Sequence, residues 1–219
     1  MPKKRSGKNK KLKPILHIFC EGKKTEPIYL NGYLCKFHSS NRRLQVVKVE
    51  KTKKNTPVQL VEEAIKLKMD SVTPDHDIFW VVYDREAKSK YSDSLHQKAL
   101  DKAKTANIQV SLTNVCFEAW LLLHVVDSTA CYSSCKNLLA ESPLKARLKD
   151  LGIRKYDKAE KKIFDVISSS INEAKERAKK MNSATLKSSP FSANQPHLLN
   201  PYTGVPKLLN AIDKFVKET

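Results

Sequence analysis

Glycine is scarce, at five residues in a chain of 219. With ten prolines and no internal repeat, that scarcity excludes a collagen-like or low-complexity chain. There is no G-x-x-x-x-G-K-[ST] loop, which argues against an NTP-driven motor. No apolar run nears the roughly 20 residues of a membrane span, and the best candidate, around residues 120–126, is interrupted by His124. The first residues lack the apolar stretch of a secretory leader, so the expectation is a soluble, cytoplasmic protein with no membrane partner. Cysteines are few and odd in number (Cys20, Cys35, Cys116, Cys131 and Cys135) and read as reduced thiols. His124, Cys131 and Cys135 match no standard zinc-finger spacing and read as packing residues. Cys116, though near His124 in sequence, gives no evidence of a nucleophile.

Acid is the other shortage. Lys and Arg number 41 against 23 Asp and Glu, a formal net charge of +18. Residues 1–13 hold seven basic residues and no acid, which reads as a disordered, solvated tail. The rest of the chain is still basic on balance. A positive surplus spread over a folded body makes a polyanion the favoured partner, DNA or RNA ahead of anionic lipid.

Apolar runs alternate with amphipathic stretches. Residues 15–20 (ILHIFC), 44–49 (LQVVKV), 77–83 (DIFWVVY) and 108–112 (IQVSL) read as strands. Helices are expected over 25–37, opened by Thr25-Glu26-Pro27, and over 57–69, behind a capping box at Thr56 to Gln59. Two more are expected over 92–105 and 117–125. The β-α alternation predicts an α/β fold with a four-stranded parallel sheet flanked by helices. Beyond it, Lys-rich helices are expected over 135–151 and 158–181, a Ser/Pro/Asn-rich connection over 182–201, and a last helix over 204–217. The organisation expected is a basic tail (1–13), a core (14–130) and a helical extension packed on that core (131–219).

Ligands of an open parallel sheet sit beyond the carboxyl ends of its strands. Strand one ends at Glu21 and strand three at Asp84 and Glu86. Strand four leads into a helix whose first turn carries Glu118. Asp84 and Glu86, two apart, share a face if the segment is extended. Carboxylates on three neighbouring strands of a basic protein repel one another unless a cation sits among them, and oxygen donors suit Mg²⁺ or Mn²⁺. Such an ion could serve phosphodiester cleavage, with Lys23 neutralising a phosphate. Each acid taken singly also reads as a helix cap or loop residue.

The segments ILHIFCEGKKTEPIYL, VVYDREAK, NVCFEAWLLLH and NPYTGVPKLL resemble the motifs of the RloB family, over about residues 14–214. The resemblance implies a Toprim-like, Rossmann-type catalytic core. Toprim domains place a Glu after the first strand and a D-x-D after the third, so Glu21 and Asp84 are carried over. Glu86 departs from the pattern, which has Asp there, and Val115 replaces the proline of the usual Asn-Pro. Glu118 matches the acid of the third motif, implying a fourth metal donor beside Glu21, Asp84 and Glu86. Tyr156 and Lys158 resemble a further family patch, and Asn200, Pro201 and Thr203 a C-terminal NPST-type motif in which Thr203 also reads as a helix cap. With Lys24, Arg85 and Lys88 from the motif loops, Tyr156, Lys158 and Asn200 are the implied nucleic-acid contacts. The function implied is a Mg²⁺-dependent nuclease, the effector of a prokaryotic anti-phage or abortive-infection system, with RNA such as tRNA favoured over DNA. Glu21, Lys23, Asp84 and Glu86 would be catalytic. An AAA-type ATPase is the implied protein partner, and homo-oligomers are a further expectation. A non-catalytic nucleic-acid-binding or adaptor subunit is the competing class, supported by the Glu86 departure.

Overall fold

A computed structural model describes residues 13–53 and 56–219. Apart from Lys13, the expected basic tail lies outside the described residues. Among them, no helix is long and apolar enough to cross a membrane.

The fold is mixed α/β, with a mostly parallel sheet flanked by helices and a helical C-terminal part. Strands β1 (Leu16–Cys20), β2 (Val47–Glu50), β3 (Ile78–Asp84) and β4 (Gln109–Asn114) run parallel, in the order β2-β1-β3-β4. The sheet has five strands rather than the expected four. The short β5 (Tyr202–Thr203), in a segment expected to be a connection, pairs antiparallel with β4. Two-residue β5 is too short to show any alternation in sequence.

Side chains alternate across the sheet, as a two-residue period requires. Leu16, Ile18, Cys20, Trp80 and Val82 join one core, and Phe19, Phe79, Val81 and Tyr83 the other. Both faces are covered, which is why β1 and β3 read as unbroken apolar runs. Helices α3 (Pro57–Lys68) and α4 (Asp93–Thr105) cover the second face. The N-cap expected at Thr56 forms, its Oγ1 accepting the Gln59 N–H at 3.3 Å, and Ser92 Oγ caps α4 by accepting the Leu95 N–H at 3.2 Å.

The first face is covered by α1 (Thr25–Phe37), α5 (Glu118–Val125) and the C-terminal helices. β2 starts later than expected, because a short helix α2 (Asn41–Leu44) occupies the first of those residues. Asn41 then fixes the strand's start through paired bonds with the Val47 backbone, 2.8 and 2.9 Å. The helix expected over 135–151 is two, α6 (Cys135–Glu141) and α7 (Leu144–Asp150), broken where Pro143 can donate no N–H. The one expected over 158–181 starts later, as α8 (Ile163–Ile167), and α9 (Ile171–Ser188) runs on into the expected connection. Ile171, Ala174, Ala178, Met181 and Thr185 are buried at alternating three- and four-residue spacing, so the core holds α9 in place. Helix α10 (Val205–Glu218) closes the chain.

Candidate metal-binding cleft

Because β2 and β3 lie on opposite sides of β1, the chain reverses its direction of travel across the sheet there. The carboxyl ends of β1 and β3 flank the switch point where open α/β sheets bind ligands. A cleft of about 650 Å³ opens at this place. Glu21, Glu26, Asp84, Glu86 and Glu118 line it, together with Lys23, Lys24, Lys90 and Lys158.

Glu21 directly follows β1. Its Oε2 accepts the Asp84 backbone N–H at 3.2 Å and its Oε1 the Tyr91 hydroxyl at 3.3 Å. Burial pushes its pKa from the ordinary 4.5 up to about 7, against the Asp84 N–H and the Lys90 charge, which pull it down. Asp84, at the last position of β3, is 8% exposed. Its pKa is pushed well above the ordinary value, first by burial and then by Glu26, Glu118, Glu21 and Glu86.

Glu26 is a member of this group that pattern reading treats only as part of a helix start. It stands in the first turn of α1, 6% exposed, and its pKa is raised by burial and by Glu118. Its carboxylate folds back over Gly22. A Cβ at position 22 would stand 2.6 Å from Glu26 Oε1 and closer still to Oε2, so this approach needs a glycine. The signal was in the EGKKTEP segment, where the acid follows the glycine by one helical turn.

Glu118 opens α5 and is 1% exposed. Tyr156 donates to its Oε1 at 3.1 Å, Lys158 Nζ stands 3.6 Å from the same oxygen, and the Cys135 thiol donates to Oε2 at 3.3 Å. Burial opposes the charge on Lys158, yet Glu118 and its neighbours hold the pKa above the ordinary lysine value. Burial and Glu118 likewise raise that of Tyr156. Both residues are therefore brought into the carboxylate cluster from a non-helical stretch between α7 and α8.

Other expected residues lie differently. The chain is not extended past Asp84: Glu86 has a φ of 57°, in the left-handed region, so the shared-face argument fails. Its carboxylate reaches the rim of the cleft and pairs with Lys90 at 2.7 Å. Arg85 points away from the cleft and is 2% exposed. Its guanidinium donates to the His197 and Tyr91 carbonyls, at 3.1 and 3.0 Å, and pairs with Asp93, so it ties the loop after β3 to the C-terminal part. Lys88 is exposed and does not line the cleft. Asn200 is also exposed and outside it, donating to the Tyr132 carbonyl at 3.0 Å. Thr203 Oγ1 lies 3.0 Å from Thr113 Oγ1 and accepts the Val205 N–H at 3.3 Å, so it joins β5 to β4 just before α10, whose N-cap position is taken by Gly204 and not by Thr203. His124, expected from sequence to be a packing residue, is committed to Tyr29 and the Ile167 carbonyl, both at 3.0 Å.

The cleft's oxygen donors are of the kind a hard divalent cation takes, but among the described residues no three of these carboxylates bring ligand atoms within 4.8 Å of one another. Glu21, Glu26 and Asp84 all have raised pKa values, largely from burial and mutual repulsion, and a hard cation would relieve both. The lysines around the rim suit a ligand carrying phosphate. A family model described as RloB-like protein matches residues 16–212. No curated protein and no solved structure matches the chain.

Proposed function

The chain belongs to the RloB-like protein family, and we propose that it is a divalent-metal-dependent nuclease serving prokaryotic antiviral defence. The observation that carries the reading is the convergence of Glu21, Glu26, Asp84 and Glu118 in one lysine-rimmed cleft at the switch point of a basic protein. A Toprim-like centre, with an acid after the first strand and acids after the third, is part of this reading.

Asp84, Glu26 and Glu118 are the residues that would hold Mg²⁺ or Mn²⁺, with Glu21 and Glu86 at its edge. When bound, the ion supplies charge neutralisation at the phosphate and a more acidic water. The side chains account for the rest. Lys23 and Lys24, exposed at the mouth, attract and orient phosphate oxygens. Lys158 adds a cation deeper in the cleft. Glu21, with a pKa of about 7, accepts a proton at Oε1 near neutral pH, and Tyr91 keeps that oxygen oriented. Among polyanions we favour RNA over DNA, and an AAA-type ATPase as the source of any coupled ATP hydrolysis.

The test is incubation with Mg²⁺ or Mn²⁺ and total RNA or plasmid DNA, beside Asp84→Ala protein and a chelator control. Cleavage that is metal-dependent and lost in Asp84→Ala supports the reading, and the substrate consumed names the class. A second reading, a nucleic-acid-binding adaptor, is favoured by Glu86, which replaces the family's Asp and is paired with Lys90. It predicts salt-sensitive binding, no cleavage by the wild type, and no loss of binding in Asp84→Ala.

A further inference from the structure

Behind the cleft, the fold brings Cys135 beside two groups of the turn between β4 and α5. Cys116 follows β4, Glu118 opens α5, and Cys135 is the first residue of α6. One ligand atom from each, Sγ, carboxylate O and Sγ, all lie within 4.8 Å of one another. We infer that Cys116, Cys135 and Glu118 form a second metal site, for a single thiophilic divalent cation of which zinc is the biological example.

The two sulfurs distinguish this site from the cleft, with which it shares Glu118. Oxygen-only clusters select Mg²⁺ or Mn²⁺, whereas two thiolates and a carboxylate select zinc. Tetrahedral bond lengths of about 2.3 Å to sulfur and 2.1 Å to oxygen require donors roughly 3.6–3.8 Å apart, so closure needs shifts of about 1 Å. Cys135 Sγ and Glu118 Oε2 already stand at 3.3 Å. Glu118 divides its two oxygens, Oε2 toward the sulfurs and Oε1 toward Tyr156 and Lys158. Charge also balances. Two thiolates and a carboxylate carry three negative charges, matched by a divalent ion and the Lys158 ammonium, so the lysine is a counter-charge and not a competitor.

Three protein ligands leave a fourth position for water or substrate. The ion would also join the β4–α5 turn to the start of α6. Between α5 and α6 the chain has no regular secondary structure, and sulfur ligation gives that crossing a fixed end. The inference stands whether or not the cleft cleaves nucleic acid.

The test loads chelator-stripped, reduced full-length protein with Zn²⁺ and measures bound metal by mass spectrometry. A parallel Co²⁺ titration looks for thiolate-to-cobalt charge-transfer absorption. Expected are near-equimolar zinc, a thiolate band, and zinc affinity about tenfold or more weaker in Cys135→Ser. Glu21→Gln, altered in the cleft only, should keep full zinc loading. Cys116 is fully buried, so if Cys116→Ala does not fold, the half-buried Cys135 position alone decides. No thiolate band, zinc unaffected by Cys135→Ser, or a Cys116–Cys135 disulfide forming instead of zinc uptake would each overturn the site.

Discussion

Glu21→Gln should make the metal-free protein more stable at pH 8, and this follows from how the cleft is charged. A glutamate titrating at about 7 in the folded chain and near 4.5 when unfolded binds more protons folded than unfolded across that window. Its contribution is therefore fully present below pH 4.5 and is lost as pH rises through 7. At 1.36 kcal/mol per pH unit, ionised Glu21 costs the metal-free fold about 3 kcal/mol at pH 8. Glutamine keeps an acceptor for the Asp84 N–H and carries no charge. The difference between variant and wild type is the quantity to read, because His96 and His124 have pKa values lowered to about 4 and about 3 by burial. Those histidines destabilise the fold below about pH 6.5, the opposite sign, and cancel in the comparison. Thermal melts in chelator at pH 8 should place the variant above wild type by about 6–12 °C, at roughly 2–4 °C per kcal/mol for a domain of this size. The gap should close by pH 5 and shrink at pH 8 in saturating Mg²⁺, which stabilises the wild type by mass action. Equal or lower stability of the variant at pH 8 in chelator would refute the claim that burial holds this carboxylate against its charge.

Three further outcomes are expected. Gly22→Ala should fold but displace the Glu26 carboxylate, weakening Mn²⁺ binding by calorimetry about tenfold or more, while zinc loading at Cys116, Glu118 and Cys135 is unchanged. Arg85→Met should lower stability in urea by about 2–4 kcal/mol, because it removes a buried cation together with the hydrogen bonds that it donates to the His197 and Tyr91 carbonyls. Its nucleic-acid affinity should match wild type at any salt concentration where both are folded, whereas a phosphate-binding role would lower it. Lys23→Ala and Lys24→Ala should each reduce the log–log salt slope of RNA binding by about 1 in fluorescence anisotropy, leaving the fold unaffected.

Local chemistry in the sequence accounts for much of this molecule. The apolar runs of β1 and β3, the hydroxyl caps at Thr56 and Ser92, and the β-α alternation each depend on neighbours within a few residues, so they are legible without coordinates. The acids that end β1 and β3 are legible for the same reason, since a strand buried on both faces stops where the apolar run stops. Contacts across the fold are a different matter. That β1 lies between β2 and β3, making Glu21 and Asp84 neighbours, is a property of strand order, and no local pattern encodes it. Glu26 looks like an ordinary acid in a first helical turn until its carboxylate is seen to pack over Gly22 in the cluster. Arg85 sits in a motif loop, but burial against Asp93 and His197 decides its role. Glu86 leaves the strand's alternation because its own backbone turns left-handed. Cys116 and Cys135 match no ligand spacing, and only the packing of α6 beside the β4–α5 turn sets their sulfurs next to Glu118. Backbone propensity and burial period act over one or two turns, while a site's donors are assembled by packing between elements far apart in the chain.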